Sequence, residues 1–122
     1  MIRSLLLVLA LLVVPGAAAS QAAMTVREFN QIAANAPRDP TALLRPSVRR
    51  AASAMEGAFE SARAEEATAR RAGRTPPFCI PARTNISPND VVARMAAVPA
   101  AQQNQTLTRA VHTWMVERFP CR

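Results

Sequence analysis

The chain has 122 residues, 50% of them hydrophobic, with 15 arginines, no lysine, 8 acidic residues and a net charge of +7. Two cysteines and one histidine leave little material for a metal cluster, which needs several ligands. Three glycines, well separated, exclude a glycine-rich phosphate loop.

The N-terminus reads as a secretory signal. Arg3 supplies a positive start, Leu5 to Val14 is an unbroken apolar run, and Pro15-Gly16 breaks it before the small residues Ala17-Ala18-Ala19. The run is too short to span a bilayer, and no later stretch is apolar enough to do so. Cleavage after Ala19 makes residues 1–19 the signal peptide; Ser20 also suits a cut after Ala22. The expected product is periplasmic, has no stable membrane insertion, and forms a single helical domain over residues 20–122. Its charge is 14 − 8 = +6 once Arg3 is removed. A basic chain suits nucleic acid, anionic lipid or an acidic protein surface. Export argues against nucleic acid, and the interleaving of arginine with glutamate favours a solvated helix surface over a basic patch.

Thr25-Val26-Arg27-Glu28 fits a capping box, and Val26, Phe29, Ile32, Ala33 and Ala36 follow at helical spacing until Pro37. This predicts a helix over residues 26–35. Asp39-Pro40-Thr41 starts a short turn ended by Pro46, with Leu43 and Leu44 as an apolar plug over the core. The longest helix begins at Ser47. Its stripe runs Val48, Ala51, Ala52, Met55, Ala58, Phe59, Ala62 and Ala69, and Gly73 stops it. About 24 residues at 1.5 Å each give roughly 36 Å, so its alanine-only C-terminal half is expected to project beyond the core. That half either packs on a second copy, making a homodimer, or is an ordinary solvated end. Glu66 and Arg70 stand one turn apart and are expected to pair on its exposed side.

Pro76, Pro77 and Pro81 make an extended connector, anchored by Phe78 and Ile80 on either side of Cys79. Ser87-Pro88-Asn89-Asp90 starts another helix, with Val91, Val92, Met95, Ala96 and Val98 on one side. The polar run Gln102 to Gln105 reads as a turn. Thr106 opens the last helix, where Leu107, Ala110, Val111, Trp114, Met115 and Phe119 form the strongest amphipathic stripe of the chain. No segment alternates with period two, so the predicted class is all-α: about four helices plus a short turn.

Cys79 and Cys121 enclose the last two helices as a C-terminal helical hairpin. In an oxidising compartment a disulfide between them is favoured over two buried thiols. Closing a loop of about 43 residues is worth roughly 4 kcal/mol on the loop-entropy model.

Catalytic chemistry finds no convincing constellation. His112 sits one position off the stripe of the last helix and is expected at its flank or in solvent. A Cys79–His112 nucleophile pair is conceivable, and oxidation would abolish it. Glu56, Glu60, Glu65 and Glu66 lie on one helix surface and are better explained by solubility than as a carboxylate pair in a cleft. Trp114 and the phenylalanines occupy core positions, so no base-stacking platform is expected. The expectation is a binding protein, not an enzyme, with no catalytic, metal or cofactor-binding residue. Arg70, Arg71, Arg74 and Arg83, on the long helix and its connector, are the candidate partner-binding residues.

The order Phe78-Cys79-Ile80-Pro81, a Ser87-capped helix, a break at Pro99 and a last helix ending Phe119-Pro120-Cys121 resembles the Rap/Tai-type immunity proteins of type VI secretion. The likeness covers residues 78–122; the alanine-, arginine- and glutamate-rich segment before Cys79 departs from it. The resemblance implies a small exported helical protein that binds and blocks a cognate secreted amidase effector, often as a dimer. The other reading is a periplasmic structural or chaperone-like helical protein on the same scaffold.

Overall fold

The computed structural model describes residues 23–122. The expected signal peptide, residues 1–19, lies outside the described residues. Four α-helices follow in order: α1 (Val26–Asn35), α2 (Pro46–Arg71), α3 (Pro88–Ala96) and α4 (Leu107–Arg118). Single 3-10 turns fall at Pro40–Leu44 and Ala100–Gln102, and the only strand-like feature among the described residues is one isolated bridge, Thr25 to Thr106. The all-α class is as expected, and none of the described helices is long and apolar enough to cross a membrane.

Helix α1 starts because the Thr25 hydroxyl accepts from the Glu28 amide at 3.2 Å. The Glu28 carboxylate meets that hydroxyl at 3.5 Å instead of the Thr25 amide, so only half of the expected box forms. The remaining first-turn amides find partners across the molecule. Val26 donates to the Gln105 carbonyl at 3.0 Å and Arg27 to Gln103 at 2.9 Å, while Leu107 donates back to Met24 at 3.0 Å. The two helix starts thus satisfy each other's orphan donors. The polar run before α4 is the dock that makes this possible, and Arg27 reinforces it by donating to Asn104 Oδ1 at 3.1 Å.

Helix α2 begins one residue earlier than expected. Pro46 is its first residue, where the fixed φ and missing N–H suit a helix start, and so does not end the preceding turn only. Ala51, Met55, Ala58, Ala62, Glu66 and Ala69 are buried along its length. Its C-terminal half therefore does not project. Alanines let α4 approach closely, and the proline-rich connector folds back over the helix end. Arg63 reaches the Pro81 carbonyl at 3.3 Å and Arg70 the Cys79 sulfur at 3.4 Å. The Glu66–Arg70 pair forms at 3.1 Å, but Glu66 is buried, with its side chain 12% exposed, so the exposed-side reading applies to Arg70 alone. Gly73 ends the helix at φ +70°, where its amide bonds to Arg70 and the next amide, Arg74, to Ala69.

The apolar plug does not form. Leu43 and Leu44 are 61% and 75% exposed. A five-residue turn has one inward side, and Ala42 takes it. On α3 the box Ser87–Asp90 closes in both directions, at 2.9 and 3.1 Å. Met95 is fully buried, Val91 and Val98 are half-buried, and Val92 and Ala96 face outward. Around the helix Val92 is about 60° and Ala96 about 100° from Met95 in one direction, and only the Val91 side, about 40° away in the other, is turned inward. Helix α3 lies against α1, where Asn30 Nδ2 donates to the Met95 carbonyl at 3.0 Å, and reaches α4 through an Arg94–Glu117 pair at 2.6 Å. The stripe of α4 is buried as expected, with Phe119 half-buried. Phe78, Met95, Leu107, Met115, Val26 and Val111 make the innermost core.

Candidate functional site

Cys79 and Cys121 are joined in a disulfide with Cα atoms 5.0 Å apart, and there is no free cysteine. Phe78 beside it is fully buried and Ile80 8% exposed, as a connector anchor requires. The sulfurs hold the connector against the end of α4 and are not free to act as nucleophiles or ligands.

The candidate arginines do not gather into one paired cluster. Arg70 is committed to Glu66 and the Cys79 sulfur. Arg71, Arg74 and Arg83 are exposed and make no ion pair among the described residues.

Two concave regions flank α2. The first is a polar cavity of about 510 Å³ between α2 and α4, lined by Ser61, Glu65, Thr108, Arg109, His112 and Thr113. His112 Nδ1 lies 2.9 Å from Glu65 Oε2, and the imidazole packs edge-on against Phe78 with centroids 5.2 Å apart. His112 is at the flank of α4, as its register predicts. Its carboxylate partner was not legible, because Glu65 is 47 residues away on another helix. The pair can orient an imidazole, with hydroxyls of Ser61, Thr108 and Thr113 nearby. No group of three or more His, Cys, Asp or Glu able to hold a metal occurs among the described residues.

The second region is larger and apolar. A groove of about 1120 Å³ is framed by α1, the Pro40–Leu44 turn, α2 and the start of α3. Its floor and walls include Phe29, Ile32, Leu43, Met55, Phe59 and Val91. Among the described residues the exposed large hydrophobics are Leu43, Leu44, Val92 and Val116; Leu43 and Val92 line the groove and Leu44 stands beside Leu43 on the same turn. Scattered exposed apolar residues need no explanation, but a contiguous concave set marks an interaction site. Sequence periodicity assigned Phe29, Ile32, Met55 and Phe59 to the core. It could not show that their outer edges line a groove, because the Leu43–Leu44 cover swings away.

The rim of the groove is charged. Glu56 and Glu60, one turn apart on α2, have no hydrogen-bond or ion-pair partner among the described residues. The other carboxylates each have one: Glu28 with Thr25, Asp39 with Thr41, Glu65 with His112, Glu66 with Arg70, Asp90 with Ser87 and Glu117 with Arg94. Asp39 and Asp90 are held below the ordinary aspartate range. For Asp39 the cause is the Thr41 hydroxyl first and its amide second; for Asp90 it is the Ser87 amide first and its hydroxyl second.

No family model, curated protein or solved structure matches the chain. The functional reading therefore rests on the residues and their geometry, and on the likeness of residues 78–122 already described.

Proposed function

We propose that the mature chain is an exported immunity-type binding protein that neutralises a peptidoglycan amidase effector of type VI secretion by occluding it. The observation that carries this reading is the stapled segment. The residues of the likeness, Phe78-Cys79-Ile80-Pro81 and Phe119-Pro120-Cys121, stand side by side, with the cysteines bonded and the Cys79 amide donating to the Phe119 carbonyl at 2.7 Å. A rigid, covalently closed helical domain with an apolar groove suits stoichiometric binding, because a preorganised surface loses little freedom on association. The test is direct. Purified mature chain is mixed with the secreted amidase encoded beside it, and hydrolysis of peptidoglycan is followed. Inhibition that is complete at one equivalent is the expected result; undiminished hydrolysis and no co-elution would end the reading.

The exposed Leu43 and Leu44 favour a second reading, a periplasmic chaperone-like protein that holds apolar segments of many clients. It predicts weak binding to unrelated unfolded proteins and suppression of their aggregation, with no preference for the amidase.

A further inference from the structure

We propose that the groove between α1, the Pro40–Leu44 turn, α2 and α3 is the docking site for a basic amphipathic helix of the partner protein. This rests on the reading of the chain as a binding protein and names the chemistry of what it binds. The α2 wall, from Val48 to Arg63, is about 22 Å long at 1.5 Å per residue, which accommodates about four helical turns. Helix-in-groove recognition needs apolar sockets spaced along such a wall. Phe29, Ile32, Met55, Phe59 and Val91 supply them, and Leu43 stands exposed at the edge, free to close over an occupant.

The charge of the occupant follows from the rim. Like charges one helical turn apart repel each other. Glu56 and Glu60 are left in that state on a chain with 15 arginines, although every other carboxylate is bonded within the molecule. Arg38 and Asp39 stand at the opposite rim, and Arg63, at the far end of the α2 wall, donates to the Pro81 carbonyl and makes no ion pair among the described residues. The lining thus holds three carboxylates, Asp39, Glu56 and Glu60, against two guanidiniums, Arg38 and Arg63, and a lysine or arginine flanking the apolar face of a bound helix pairs with Glu56 and Glu60. Charge complementarity of this kind selects the partner more than it adds affinity.

The experiment uses the mature disulfide-bonded chain and two synthetic amphipathic helices with the same leucine face, one flanked by lysine and one by glutamate. Backbone amide shifts and calorimetry report binding. The expected result is 1:1 binding of the lysine peptide, with shifts centred on Ile32, Phe59 and Val91. The glutamate peptide binds on the order of 10-fold more weakly, and the double substitution E56K/E60K inverts the preference. Both positions are exposed, so the variant keeps its fold, which circular dichroism checks. Equal binding of the two peptides, shifts outside the groove, or no binding overturns the proposal. So does sedimentation showing that the groove is filled by a second copy. An amidase effector inhibited equally by wild type and E56K/E60K removes the groove proposal and leaves the immunity reading standing. Charge-selective peptide binding without inhibition of the effector does the reverse.

Discussion

The amide of Cys79 donates to the carbonyl of Phe119 at 2.7 Å, two residues inside the disulfide that joins Cys79 to Cys121. The connector is therefore held to the end of α4 by backbone as well as sulfur. Breaking the covalent bond leaves the local geometry supported and releases mainly the unfolded chain, whose loop of 42 residues' separation is no longer closed. Replacing both cysteines by alanine is expected to lower stability by about 4 kcal/mol at most. Urea unfolding of the oxidised protein and the variant measures this. Thiol titration of denatured, unreduced mature protein is expected to find no free thiol.

Trp114 is 7% exposed, meets Phe59 edge-on with centroids 6.0 Å apart, and has the Arg94 guanidinium 6.0 Å over its ring. Trp114→Ala removes the largest side chain of the α2–α4 seam and is expected to cost about 3–5 kcal/mol. A thermal or denaturant midpoint close to wild type would show that the seam is not where stability resides.

The two glycines among the described residues, Gly57 and Gly73, predict opposite responses. Gly57 lies inside α2, exposed, and an added methyl meets open space; Gly57→Ala is expected to stabilise the protein by about 1 kcal/mol through the unfolded state. Gly73 has φ +70°, so Gly73→Ala forces a left-handed alanine and is expected to destabilise by about 1 kcal/mol. Paired unfolding curves of the two variants test both signs at once.

The α3 cap links stability to acid. Ser87→Ala removes the hydroxyl that accepts from the Asp90 amide at 3.1 Å and is expected to cost about 1 kcal/mol. The Asp90 carboxyl is depressed in the folded state by the Ser87 amide first and hydroxyl second. A depressed carboxyl contributes fully above the unfolded aspartate value of about 3.9, and its contribution is lost as pH falls through the folded value. Asp39 has the same sign. Stability is thus expected to fall below about pH 4, and Asp90→Asn to flatten that part of the profile. An unchanged slope in the variant would contradict the assignment.

The sequence by itself determined the local structure of this protein. The α1 and α4 boundaries, the Ser87–Asp90 cap, the Gly73 stop and the α4 core stripe follow from spacing and capping chemistry, which act within one or two turns. The pairing of two cysteines followed from their number and the inferred compartment. Tertiary structure alone decided what lies between elements. It buried Glu66, whose surroundings come from the connector folding back. It joined Glu65 to His112 and the start of α1 to the start of α4, contacts that span 47 residues and more and leave no local pattern. It turned Leu43 and Leu44 outward, because a short turn at a corner has room for one inward residue. That last choice opened the groove, at whose rim Glu56 and Glu60 stand without a partner among the described residues. On the sequence these had the look of core and of solubilising charge, since periodicity reports which face of a helix is apolar and not whether another part of the chain covers it.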